Sequence, residues 1–128
     1  MYMTSQSNIE ITISLVDASL SDEELQEKVE NLLPELRQVD GVENADLVPV
    51  EQAPPDSKAL GGYVLGTLKT LVDVSKVKPL FDFLAGMVRS KTIETTFKKP
   101  DGTELTIKVS NREDFEFAYQ KAEKFLKS

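Results

Sequence analysis

The sequence predicts an α+β fold in a single domain, and three observations carry that expectation. Residues 8–16 alternate apolar and polar side chains with the period of a half-buried strand. Asp101-Gly102 lies between two more alternating runs and marks a hairpin. Ser21-Asp22-Glu23-Glu24 and Ser110-Asn111 each open a run with apolar residues at helical spacing. With 128 residues the chain has room for one core, which needs no covalent staple. Residues 1–128 are therefore taken as one domain, with 1–7 as a frayed lead-in.

In the first strand Ile9, Ile11, Ile13 and Leu15 face one way, and Glu10, Thr12 and Ser14 the other. Ser21 then caps a helix, with Glu24 reaching back in a capping box. Leu25, Val29, Leu32, Leu33 and Leu36 form its apolar stripe. Pro34 interrupts the stripe, and an interior proline costs about 3 kcal/mol, so a kink or break is expected there. Asp40-Gly41 ends the element in a turn. Val42–Val50 reads as a second, more buried strand, and the three elements suggest a right-handed β-α-β unit with parallel strands. Residues 51–58 follow, where Pro54 and Pro55 stiffen a proline-rich linker.

In the central segment, 59–90, Leu60, Val64, Leu68, Leu71 and Val72 fit one helical face. Leu80, Phe81, Leu84, Met87 and Val88 fit another. One continuous helix would run about 48 Å, far beyond a domain whose radius of gyration is near 14 Å. The segment is therefore read as a helical pair broken around Asp73–Lys76. Residues 91–99 and 104–109 make the hairpin around Pro100-Asp101-Gly102-Thr103. A C-terminal helix closes the chain, with Phe115, Ala118, Tyr119, Ala122, Phe125 and Leu126 on its core side. The expected architecture is a four-stranded mixed sheet with helices packed on it.

Composition removes several function classes. There is no cysteine and no histidine, hence no disulfide, thiolate metal site, cysteine nucleophile or imidazole base. Glu23, Glu24, Glu27 and Glu30 read as a solvated helix face whose first-turn acids suit the helix dipole. No P-loop, dinucleotide glycine pattern or calcium loop occurs. No catalysis, cofactor or metal is therefore expected. The net charge of −7 opposes nucleic acid and anionic lipid. It is uneven: residues 1–66 hold 3 basic and 13 acidic side chains, and residues 67–128 hold 12 and 9. The basic residues of 76–99 do not alternate with the aromatics there as a nucleic-acid stacking platform would require. The start of the chain shows no signal-peptide pattern, and the longest uncharged apolar-rich run, Ala59–Leu68, is half of the roughly 20 residues a span needs. A cytoplasmic protein without a membrane span is expected.

Gly61, Gly62 and Gly66 would together cost roughly 3 kcal/mol if all were helical. They imply either a loop or a close backbone approach, within the fold or with another protein. The order of parts is also informative. A β-α-β unit ends in Glu51-Gln52-Ala53-Pro54-Pro55-Asp56-Ser57-Lys58. A small-residue-rich apolar helical pair and a basic exit at Arg89 and Lys91 follow, then the Pro100-Asp101-Gly102-Thr103-Glu104 hairpin and a last helix. This succession, over residues 8–127, resembles the effector-associated constant component family of bacterial conflict systems. The resemblance implies a non-catalytic accessory subunit acting in immunity or cell death through protein contacts. The implied partners are effector-associated peptidases or signalling NTPases. Candidate contact residues are Pro54, Pro55, Gly62, Tyr63, Gly66 and Phe83, and self-association is left open. The rival reading is an acidic immunity protein that covers a basic toxin, steered by the anionic first half.

Overall fold

The isoleucine alternation of the first strand becomes the centre of the fold. The computed structural model describes residues 8–52, 58–87 and 92–127. Its elements are β1 (Asn8–Val16), α1 (Asp22–Leu36), β2 (Val42–Pro49), β3 (Ala59–Leu60), β4 (Tyr63–Asp73), α2 (Val77–Ala85), β5 (Thr92–Lys98), β6 (Glu104–Val109) and α3 (Glu113–Lys127). Short 3-10 turns follow β2 and β4. The six strands form one antiparallel sheet in the order β2-β4-β1-β5-β6, with β3 hairpinned onto β4. The proposed lead-in at 1–7 and the prolines Pro54 and Pro55 lie outside the described residues.

Three expectations are corrected. The sheet has six strands rather than four, and it is antiparallel rather than mixed. β1 and β2 do run in the same direction, since each is antiparallel to β4, but β4 lies between them. The helical pair is one strand and one helix: residues 63–73 are β4, and only 77–85 are helical. The expected break at 73–76 is real, as a 3-10 turn that Asp73 caps by accepting from the Ser75 amide. Pro34 does not break α1, which runs on to Leu36. The carbonyl that Pro34 leaves without its helical donor belongs to Glu30, and both residues are exposed, on the solvent side of the helix.

The alternation holds through the sheet. Ile9, Ile11 and Ile13 are at most 2% exposed and pair with Val72, Thr70 and Leu68 on the helix-covered face. Thr70 is a buried polar residue there, and its hydroxyl donates to the Ile11 carbonyl at 3.0 Å. Leu25, Val29 and Leu36 of α1 join this core, as do Leu80, Phe81 and Leu84 of α2 and Phe115, Ala118 and Ala122 of α3. The capping box stands as expected, with Ser21 Oγ accepting from the Glu24 amide and Glu24 Oε1 from the Ser21 amide. Of the two candidate caps for α3, Asn111 Oδ1 takes the Asp114 amide.

Two carboxylates fix turns in the same way. Asp73 Oδ1 accepts from Ser75 N–H and Oγ–H at 3.0 and 2.8 Å, and Asp101 Oδ1 from Thr103 N–H and Oγ–H at 2.9 and 2.7 Å. These donors favour the charged form and hold both carboxyls below their ordinary 3.8. A lowered folded-state pKa lends stability that is present above the unfolded value and lost as pH falls through the folded one. Carboxyl NMR titration is expected to place both midpoints below 3.8, and Asp73→Asn with Asp101→Asn to flatten the acid limb of a stability–pH curve. Midpoints at or above 3.8 would remove this account of the turns.

Candidate functional site

All three helices meet the same side of the sheet. α1 packs on β4 and β2, α3 on β6, and α2 on α3. The strands' opposite face carries no helix among the described residues. Its side chains are those that alternate against the core set, and the register lines them up in rows across β4, β1, β5 and β6. One row is Thr67, Ser14, Glu94 and Lys108. The next is Lys69, Thr12, Thr96 and Thr106, and the third is Leu71, Glu10, Lys98 and Glu104. The Ser14 and Thr67 hydroxyls hydrogen-bond at 3.2 Å, and those of Thr96 and Thr106 at 3.0 Å. Lys108 approaches Glu94 at 3.8 Å, and Lys98 has Glu10 on one side and Glu104 on the other. Cross-strand pairs of this kind contribute about 0.2–1 kcal/mol each.

These rows line a broad, shallow concavity that Val48, Val64 and Lys58 extend toward the linker end. Its charged side chains are Glu10, Glu94 and Glu104 against Lys58, Lys69 and Lys98, with Lys108 beside Glu94 as a fourth base, so the face carries no acidic excess in a chain of net −7. The excess acid lies elsewhere. Asp22, Glu23, Glu24, Glu27, Glu30 and Glu35 are exposed along α1, with Lys28 as its lone base. Hydroxyls and paired charges suit hydrogen bonding to another polar surface, and the lining holds no aromatic ring.

The candidate contact residues do not form one patch. Gly62 sits in the exposed β3–β4 turn with φ +87° and open space where a Cβ would stand. Tyr63 is 40% exposed and lines a groove at the β2 edge with Leu33, Asp46, Leu47, Pro49 and Lys69. Gly66 is buried within the fold. Its φ is +66°, its amide donates to Gln26 Oε1 at 2.9 Å, and a Cβ there would come within 3.0 Å of the Leu15 carbonyl and Leu25 Cδ2. The close approach expected at Gly66 is thus internal, made by α1 against a bulged strand rather than by a partner against a helix. Phe83 is half-buried in α2 against the core. The threonine rows leave no mark in the sequence, because only the strand order brings them together.

A second, smaller cleft lies between the 3-10 turn after β4 and α3, lined by Val74, Ser75, Val77, Tyr119, Glu123, Leu126 and Lys127. Its charges answer one another. The Tyr119 hydroxyl donates to Glu123, Lys127 pairs with Glu123, and the Lys78 ammonium lies 5.2 Å from the Tyr119 ring centre. Burial, with Glu123 beside it, pushes the Tyr119 hydroxyl pKa up. Among the described residues no three acidic side chains converge as metal ligands, and no helix is long and apolar enough to cross a membrane. Compared with family models, curated proteins and solved structures, the chain matches none.

Proposed function

We propose that this chain is a non-catalytic accessory subunit of a bacterial conflict or signalling system, acting in the cytoplasm through protein–protein contact on the uncovered sheet face. The observation that carries this is the one-sided sheet: four strands present aligned hydroxyls and neutralised charges to the exterior, with the acidic excess kept on the helical side. A protein partner can approach that face without meeting the repulsion that the chain's net charge would otherwise impose. The resemblance to effector-associated constant components supplies the partner class, an effector-associated peptidase or a signalling NTPase.

The test is binding of purified products of the neighbouring genes by the intact chain and by Thr12→Arg/Thr96→Arg, which puts bulk and charge at the middle of the face. A folded double variant should lose at least about tenfold in affinity, roughly 1.4 kcal/mol. Unchanged binding by that variant would overturn the assignment of the face. Tyr63→Ala and Phe83→Ala serve as the comparison arm, since loss confined to them would move the contact to the central segment.

The second reading, an acidic protein covering a basic toxin, rests on the six exposed carboxylates of α1. It predicts an association rate that drops steeply as salt rises. The sheet-face reading predicts a rate that changes little.

A further inference from the structure

We propose that the free edge of β6 pairs with β6 of a second copy of this chain, making a symmetric dimer with a continuous sheet. The two edges of the sheet are treated differently. β2 is guarded by a bulge between Val42 and Asn44, by a second irregularity before Pro49, and by Pro49 itself, which has no N–H. At Ala45 both backbone groups are taken by side chains: Asn44 Oδ1 accepts from the amide, and the Arg37 Nε and Nη2 groups donate to the carbonyl at 3.1 and 2.9 Å. β6 has a regular register over its whole length and no such covering among the described residues.

The phase of the β5–β6 ladder says which backbone groups point outward. The Lys99 amide donates to the Thr103 carbonyl at 2.9 Å, so the hydrogen-bonded pairs continue at Phe97–Leu105, Thr95–Ile107 and Ile93–Val109. The Ile107 carbonyl indeed faces β5, where it also accepts from the Thr95 hydroxyl. Glu104, Thr106 and Lys108 therefore turn their N–H and C=O groups away from the sheet.

An antiparallel copy centred on Thr106 meets those groups in phase. Thr106 faces Thr106 of the other copy, and Glu104 faces Lys108 twice, so the strand is complementary to itself in charge. Leu105 and Ile107 then face each other across the seam on the helix side, where both are half-buried. They share a groove along this edge with Phe117 of α3, which is 63% exposed, the most of any large apolar residue described. Pairing would cover that apolar strip. A six-residue strand pair is a small interface, and its affinity is expected in the micromolar range.

Sedimentation velocity of the full chain from about 1 µM to about 1 mM tests this. The wild type is expected to pass from monomer to dimer across that range. Glu104→Lys alone and Lys108→Glu alone each set like charges opposite one another at both pairs, and each should weaken the dimer at least tenfold. Glu104→Lys with Lys108→Glu restores opposite charges and should restore the dimer. Inside one copy, the same double change places like charges against Lys98 and Glu94, so recovery cannot come from a steadier monomer. Circular dichroism melts verify that each variant is folded. A wild type that stays monomeric throughout, a dimer indifferent to the single reversals, or a double variant no better than the singles would each overturn the proposal.

Discussion

Phe81→Ala is expected to lower unfolding free energy by about 3–5 kcal/mol, the range for removing a buried phenylalanine. Phe81 is 3% exposed and joins three elements. Its ring stacks on Phe97 of β5 at 5.7 Å and meets Phe115 and Tyr119 of α3 edge-on at 6.3 and 5.4 Å. Each such pair is worth about 0.5–1.5 kcal/mol beyond burial. Truncation leaves a cavity where α2 meets both the sheet and α3, and neither can collapse without disturbing the other. For a domain with about 5–15 kcal/mol in total, the loss is a large share. Urea denaturation followed by far-UV circular dichroism measures it, with Phe81→Leu expected to keep more of the stability. A loss below about 1 kcal/mol for Phe81→Ala would mean that α2 does not anchor this core.

Gly41→Ala carries the other large effect, about 2–5 kcal/mol, from two separable sources. Gly41 has φ +93°, a conformation that costs other residues about 1–2 kcal/mol. A Cβ there would also stand 2.5 Å from Lys76 Cβ and 2.8 Å from the Lys76 carbonyl oxygen. Backbone cannot swing aside, and the Gly41 carbonyl is itself held by the Asp73 amide at 2.9 Å. Overpacking of this kind adds about 1–3 kcal/mol. Gly102 supplies the control. Its φ of +95° is nearly the same, but nothing lies within 4 Å of where its Cβ would be. Gly102→Ala should therefore show the backbone cost alone, and the difference between the two denaturation midpoints isolates the collision with Lys76. Equal losses at both positions would remove the steric argument.

The parts of the fold legible in the sequence are those where one local rule acts alone. β1 has strict alternation, α1 has a capping box with a leucine stripe, and the last hairpin has Asp101-Gly102 between alternating runs. Gly102 lies at positive φ in that turn, and Ser21 and Glu24 exchange hydrogen bonds as their spacing implies. β4 reads as a helix in the sequence because two periods coincide in its apolar residues. Leu60, Val64, Leu68, Leu71 and Val72 match a helical stripe, yet Leu71 is 38% exposed on the uncovered face while Leu68 and Val72 are buried on the other. The exposed Leu71 interrupts the strand alternation and completes an apparent helical stripe, so periodicity loses its force here. The glycines held the corrective signal. Gly61, Gly62 and Gly66 all have positive φ, which no helix accommodates, and they form a turn and a bulge. The candidate site was less legible than the fold for a related reason. Thr12, Thr96 and Thr106 are unremarkable one by one, and become a surface only through long-range pairing.

The position of β4 between two strands that precede it has a consequence for synthesis. β1 and β2 leave the ribosome first, but neither has a neighbour until the chain has been made as far as Asp73. At translation speeds of about 5–20 residues per second, β1 waits roughly 3 to 11 s with its isoleucine face uncovered and its backbone edges unpaired. The carboxylates of α1 emerge in that same interval, so the waiting chain already carries most of its negative charge.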